Sequence, residues 1–151
     1  QAIAANDLFE MLDGKQREKA LRPKAPEESD IGFRSKDDAI DGIAIESCSS
    51  DQKEQAQKVL LSLLEPYRLR DREEALNALK KQGGLDACHL TFYKKDDLGN
   101  DGIWDNWRLE GPSFVWHYRG APHVHVWLNV ADTAKVDLNS HNRSGPLRQK
   151  S

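Results

Sequence analysis

The stretch FVWHYRGAPHVHVWLN, residues 114–129, joins two segments rich in aromatic and β-branched residues through a central Gly-Ala-Pro. Such segments on either side of a Gly-containing tip are typical of a β-hairpin. The stretch also holds three of the five histidines of the chain and two of its four tryptophans. It therefore predicts a strand pair that carries an unusual concentration of imidazole and indole groups.

The length of the hairpin loop decides where the imidazoles point, because a slip of one residue moves every side chain to the other face of the sheet. In a three-residue loop, residues 120–122, Pro122 lies outside the paired strands, so the N–H that it lacks is not needed for a cross-strand hydrogen bond. Such a loop also places Gly120 at a position with positive φ. In that register His117 faces His125, and the valines of the last strand join the core. We therefore expect the three imidazoles of the hairpin to share the outward face.

Three imidazoles at this spacing can bind one transition metal. Cross-strand neighbours have Cβ atoms about 4.5–5.5 Å apart, which suits a shared Zn²⁺, Cu²⁺ or Fe²⁺ ion. We predict a metal site formed by His117, His123 and His125. No fourth ligand is evident, although the fold could bring His89 or Glu110 near.

Two other interpretations of the hairpin stay open. A His-x-His pair on a strand is also found simply as two residues on the solvent side. A four-residue loop would reverse the register and place His123 and His125 among the aromatic rings of residues 114–118. That arrangement would form a platform for an apolar or ring-shaped ligand.

A second concentration of functional side chains is WDNWRLEG, residues 104–111. On a strand, Arg108 and Glu110 point to the same face. They form either a surface ion pair, with the arginine stacked on a tryptophan, or a site in which the arginine binds a carboxylate or oxyanion. The predicted ligand-binding residues are Trp104, Trp107, Arg108, Glu110 and Trp127.

The first half of the chain carries helical signals, and the period changes from 3.6 to 2 after Gly84. Residues 23–47 have no clear period and predict a long connection that is functional or mobile. Four strand candidates follow Gly84, so we expect an α+β fold with N-terminal helices packed on a C-terminal antiparallel sheet of about four strands. A single domain should span residues 1–138, with a flexible polar tail at 139–151. Three capping boxes mark predicted helix starts: Asp13 with Gln16, Ser49 with Gln52, and Asp71 with Glu74.

Composition limits the function. The chain has 151 residues, 31% of them charged, and a net charge of −3, which argues against a nucleic-acid partner. No apolar run is long enough for a membrane span, and no signal peptide is visible.

Cys48 and Cys88 are either one disulfide or two buried thiols. No established catalytic motif is present, so the sequence identifies no catalytic residue and leaves enzyme activity undecided.

Three stretches together resemble the bacterial family called domain of unknown function 3500. They are ANDLFEMLDGKQREKAL, SSDQKEQAQKVLLSLL and YKKDDLGNDGIWDNWRLEG with a later Leu-Asn, in the family's order. The resemblance covers residues 4–130, and its most specific part is residues 104–111. The chain departs from the family at Pro112 and Ser113, where the family tends to have two histidines. The resemblance implies a bacterial protein exported to the periplasm or beyond, which suits a Cys48–Cys88 disulfide, but it implies no activity.

These observations favour three hypotheses. The first is a histidine-based metal-binding protein of the cell envelope. The second is a non-catalytic binding module that uses the tryptophan and arginine surface for a small ligand or a protein partner. The third is a structural domain of a larger assembly.

Overall fold

The computed structural model describes residues 1–28, 31–34 and 39–136. The predicted tail at 139–151 and the last two residues of the predicted domain lie outside this part of the chain. The described residues form an α+β fold, as predicted. The helices are α1 (Ala2–Glu10), α2 (Gly14–Ala20), α3 (Ser50–Leu64) and α4 (Leu69–Lys81). The strands are β1 (Leu21–Arg22), β2 (Ile43–Ala44), β3 (His89–Tyr93), β4 (Asn106–Gly111), β5 (Phe114–Arg119) and β6 (His125–Val130).

The strands form one mixed sheet in the order β1-β3-β4-β5-β6, and β2 also pairs with β3. The four long strands run antiparallel to their neighbours, as predicted. The short strand β1 runs parallel to β3 and makes the sheet mixed. Periodicity could not predict β1 and β2, because two residues are too few to show a repeat.

Two of the three predicted capping boxes are present, at the starts of α2 and α3. The glutamine of the second box, Gln52, also donates from its Nε2 to the backbone oxygen of Met11 at 2.8 Å, which ties α3 to the end of α1. The third predicted box is wrong. Helix α4 begins at Leu69, and Asp71 instead lies in its first turn, where it pairs with the N-cap residue Arg68 at 3.0 Å.

One face of the sheet packs against the helices and forms the hydrophobic core. Phe9 of α1 lies at the centre of this contact, with its ring 4.9 Å from that of Phe92 and 5.6 Å from that of Trp104. Phe114 and Trp116 of β5 face this core, but the expectation that the valines of the last strand join it is wrong for Val124 and Val126, which are 61% and 42% exposed. The buried sheet residues of this core are Leu90, Phe92, Trp107, Leu109, Phe114 and Trp116.

The opposite face of the sheet is polar and is also buried over β4 and β5. Arg108 is 0% exposed and His117 is 1% exposed, so the prediction of an outward face is wrong for His117, while His123 is exposed and His125 is partly exposed. Part of the long connection covers this face. Glu28 forms an ion pair with Arg119, and Arg34 approaches Glu110.

The register of the β5–β6 hairpin also differs from the prediction. His117 faces Trp127, and Arg119 faces His125, so residues 120–124 form the loop in place of residues 120–122. Both loops have an odd number of residues, and the prediction of which strand residues share a face therefore holds. The N–H of Gly120 donates to the backbone oxygen of Asp105 at 2.7 Å and so extends the pairing of β5 with β4.

The two cysteines are separate buried thiols, so the disulfide implied by the family resemblance is not formed. Burial raises the pKa of the Cys88 thiol to about 12, which keeps it protonated and unreactive. Within residues 1–28, 31–34 and 39–136, no helix is both long and apolar enough to cross a membrane.

The backbone conformation and close packing at Gly42, which directly precedes β2, can be tested by substitution. Its φ is +94°, and an added Cβ would lie 2.2 Å from Thr91 Oγ1 and 2.4 Å from the backbone oxygen of Leu90. We expect Gly42→Ala to lower the free energy of unfolding in urea by at least about 2 kcal/mol. Gly14→Ala is the matched control, because an added Cβ there meets no heavy atom within 4 Å. Equal stability of the two variants would contradict the conformation at Gly42.

Candidate functional site

The polar face of the sheet is organised around Arg108, at the centre of β4. Its Nε donates a hydrogen bond to His117 Nδ1 at 3.2 Å. Its Nη1 lies 3.5 Å from Glu110 Oε2, and Nε of Arg34 approaches the same oxygen at 3.8 Å. A completely buried guanidinium is thus held between a carboxylate and a neutral imidazole.

This cluster is not fully satisfied. Both Nη atoms of Arg108 and Oε2 of Glu110 are buried without a hydrogen-bond partner in the described part of the chain. Burial raises the pKa of the Glu110 carboxyl, while Arg108 and Arg34 oppose that rise. The ion pair therefore supplies attraction without good hydrogen-bond geometry.

His117 is held neutral by its surroundings. Burial lowers the pKa of its imidazole to about 3, and the charges of Arg108 and Arg119 act in the same direction. Because Nδ1 accepts the hydrogen bond from Arg108, the ring proton must be on Nε2. His117 is thus a neutral imidazole with one N–H to donate.

A cavity of about 310 Å³ adjoins this cluster. The sheet contributes Asn106, His117 and Arg119 to its wall, the first residues of the covering connection contribute Lys24 to Glu28, and the turn after β3 contributes Lys95 and Asp96. We name it the strap cavity, and we call residues 24–28 the strap.

Asn106 is the buried polar residue in the wall of the strap cavity. It is 2% exposed, and its Nδ2 donates to the backbone oxygen of Lys95 at 3.2 Å, which fixes the orientation of the amide. Its Oδ1 is buried with no hydrogen-bond partner among the described residues. Nε of Arg119 is buried and unpartnered in the same way. Asn106 therefore has an unused acceptor atom and Arg119 an unused donor atom, and the Nε2–H of His117 is a further donor among the lining residues.

Arg119 also fastens the strap to the sheet. Its Nη2 lies 2.6 Å from Glu28 Oε1 and 2.8 Å from His125 Nδ1, and its Nη1 donates to the backbone oxygen of Ala121 at 2.9 Å. One arginine thus connects the strap, the hairpin loop and the edge strand β6.

The three histidines predicted as metal ligands are only partly brought together. His123 lies in the hairpin loop, and its ring centroid is 4.4 Å from that of His125. Trp127 packs between His125 and His117, at 5.2 and 5.4 Å from the two rings. In the described ranges, no group of three His, Cys, Asp or Glu side chains could hold a metal ion. Metal binding stays a prediction, and it would require His117 to leave Arg108.

The predicted ligand-binding residues lie on both sides of the sheet. Trp107 is buried on the helix side, where its ring stacks on Tyr118 at 5.8 Å. Trp104 precedes β4 and packs against Phe9 on the same side. Trp127, Arg108 and Glu110 lie on the polar side, where only Trp127 is partly exposed.

The sequence interpretation missed Asn106, Arg119 and Glu28 as possible site residues. A signal existed for the first two, because Asn106 shares the face of Arg108 by alternation, and Arg119 shares the face of His117. No pattern marked Glu28, which lies in a segment without a period.

No family model, no curated protein and no solved structure matches this chain. Membership of the domain of unknown function 3500 family therefore stays a prediction, as does a location in the cell envelope. The function must be inferred from the geometry of the chain itself.

The neutral state of His117 predicts a pH dependence of stability. The pKa of His117 is about 3 in the folded protein against an ordinary value of 6.5, so the unfolded chain takes up a proton first as the pH falls. The resulting stabilisation is complete above pH 6.5 and is lost progressively towards pH 3. We expect the parent to lose on the order of 1 kcal/mol per pH unit more than His117→Gln between about pH 6 and pH 4.

Urea unfolding at a series of pH values measures this difference. Taking the difference between parent and variant removes the shared contribution of Glu110, whose raised pKa acts in the opposite direction. His123→Gln, at an exposed loop position, is the matched control and should follow the parent. A parent profile that coincides with that of His117→Gln would show that His117 protonates freely in the folded state.

The buried ion pair predicts a non-additive effect of mutation. Arg108→Met leaves the Glu110 carboxylate buried without its nearest cation, and we expect a loss of about 3–5 kcal/mol in the free energy of unfolding. The double variant Arg108→Met/Glu110→Gln removes both charges and should recover part of that loss. Chemical denaturation of Arg108→Met, Glu110→Gln and the double variant measures the coupling, and a loss of stability in the double variant equal to or greater than the sum of the two single losses would contradict the pairing.

Proposed function

We propose that this protein is a non-catalytic binding protein that holds a small polar ligand in the strap cavity. The observation that carries the proposal is that Asn106 lines the cavity and has a buried Oδ1 with no hydrogen-bond partner among the described residues. A buried polar atom without a partner costs about 1–3 kcal/mol, so such atoms are rare unless another molecule uses them. A ligand that donates to this oxygen would remove the cost.

The size of the strap cavity supports a small ligand. Its volume of about 310 Å³ lies at the lower end of the range of about 300–1,000 Å³ found for small-molecule sites. Its wall is formed by charged and amide side chains on the sheet side rather than by the usual apolar groups. A compact, strongly polar molecule fits this wall better than an apolar one.

The strap gives the ligand a route of entry. The polar contact that fastens its last residue, between Glu28 and Arg119, joins side chains that are 42% and 19% exposed. Partly exposed ion pairs contribute little, typically about 0–1 kcal/mol. Opening the strap at this end therefore needs little free energy.

Binding without reaction is supported by the groups that line the cavity. No described lining residue has a hydroxyl or thiol nucleophile. The Nδ1 of His117 is engaged by Arg108, and its pKa of about 3 makes the ring a poor base at neutral pH. The cavity can hold and orient a ligand, but it offers no nucleophile with an adjacent base.

A binding screen followed by amide NMR tests the proposal. The probes are sodium propionate, sodium lactate, sodium phosphate, glycerol, glucose and zinc chloride. At least one polar probe should shift the amide resonances of Asn106, His117 and Arg119. Asn106→Leu should weaken a probe that carries a hydrogen-bond donor by about threefold or more, because that probe loses one hydrogen bond.

Asn77→Leu is the matched control. Asn77 is exposed on α4 and does not line the strap cavity, so this variant should bind as the parent does. The proposal fails if no probe shifts the three cavity resonances, or if Asn106→Leu and Asn77→Leu bind equally well. Zinc that shifts only His123 and His125 would support the metal hypothesis instead.

A further inference from the structure

We infer that the ligand of the strap cavity is a small monoanionic carboxylate with a hydroxyl group on the carbon next to the carboxylate. This inference rests on the proposed function and assigns a ligand class to the same site. It follows from the charge of the inner wall, from the single unused acceptor, and from the spacing of the groups on two paired strands.

The inner wall of the cavity favours an anionic group. Arg119 lines it and has a buried, unpartnered Nε, and the neutral His117 offers an Nε2–H. Arg108 lies directly behind His117, with its Nε at 3.2 Å from the ring. A carboxylate accepts hydrogen bonds from both an arginine N–H and an imidazole N–H, and its bonds to a charged donor are the stronger kind.

Asn106 requires a hydrogen-bond donor on the ligand. Its Oδ1 can only accept a hydrogen bond, and its Nδ2 is already used by the backbone of Lys95. The ligand must therefore carry a donor as well as the carboxylate. Phosphate at neutral pH carries an O–H that could donate to this oxygen, but much of it is doubly charged and would meet the acidic side chains of the cavity.

A hydroxyl fits this position better than an ammonium group. Arg108 and Arg119 act together with burial to keep His117 from taking up a proton. The same positive charges would repel an ammonium group placed beside Asn106. A neutral donor avoids that repulsion.

The spacing of the wall residues places the hydroxyl close to the carboxylate. Asn106 and Arg119 are directly opposite each other on β4 and β5, and His117 lies two residues from Arg119 along the same strand. Directly opposite residues have Cβ atoms about 4.5–5.5 Å apart. The acceptor and the donors are therefore within reach of one small molecule, and a compact 2-hydroxy acid presents a carboxylate and a hydroxyl over such a short span.

The outer part of the cavity limits the charge of the ligand. Glu27, Glu28 and Asp96 line it together with Lys24 and Lys95. With Arg119 there are three cations and three carboxylates, so the lining as a whole carries no excess positive charge. A single negative charge at the inner wall is compatible with this balance, while a multiply charged anion would meet the acidic side chains.

The test compares four compounds of nearly equal size by isothermal titration calorimetry with the full chain at neutral pH. They are lactate, propionate, 1,2-propanediol and alanine, and both enantiomers of lactate and alanine are used. We expect the better lactate enantiomer to bind about tenfold more tightly than propionate, which lacks only the hydroxyl. Alanine and 1,2-propanediol should bind at least about tenfold more weakly than lactate, because one carries an ammonium group and the other no carboxylate.

Asn106→Leu gives a second, independent measurement. It should reduce the affinity for lactate to that for propionate and change the affinity for propionate by less than about twofold. Asn77→Leu should keep the parent's preference for lactate. If Asn106→Leu does not fold, the comparison of the four compounds on the parent still decides the question.

The results separate this inference from the proposed function. Equal binding of lactate and propionate, or tighter binding of alanine, overturns the hydroxy-acid assignment. If phosphate or glycerol shifts the cavity resonances while lactate does not, the inference fails and the proposed function stands. If none of the probes or the four compounds shifts those resonances, both fail.

Discussion

The hydrogen bond and ion pair of Arg108 are the contacts on which the polar half of this molecule depends. A guanidinium cannot be deprotonated at physiological pH, and an uncompensated buried charge costs several kcal/mol. Arg108 is 0% exposed, so Glu110 and a neutral His117 must lie beside it. The described parts of the connection between β1 and β2 contribute to covering this face, since Glu28 pairs with Arg119 and Arg34 approaches Glu110.

The two faces of the sheet have different roles. Its helix side is apolar and packs against α1 and α3, so that side stabilises the fold through the burial of aromatic and aliphatic groups. Its polar side holds charged and amide groups at positions fixed by strand pairing. Site residues on β-strands are held more precisely than residues on loops, and this precision allows Asn106 and Arg119 to keep buried polar atoms without partners.

The sequence predicted the division between these two sides because strand alternation is a local property. Trp107 and Leu109 face the helices, while Arg108 and Glu110 face away, as their spacing indicates. The hairpin register was not predictable, because loops of three and five residues keep the same side chains on each face, so alternation does not distinguish them. The cover was not predictable either, since Glu28 and Arg34 meet their partners through contacts over more than 70 residues of sequence, which no local period encodes.

The position of the strap cavity follows from an asymmetry around Arg108. On one side its charge is compensated by Glu110, and Arg34 completes that group. On the other side His117 is neutral and contributes no negative charge, and beyond it Arg119 adds a second cation. Glu28 compensates that cation at one guanidinium nitrogen only, which leaves Nε unpartnered. At this end of the polar face, Nε of Arg119 lacks an acceptor and Oδ1 of Asn106 lacks a donor among the described residues, and an anion that brings its own hydroxyl would complete both.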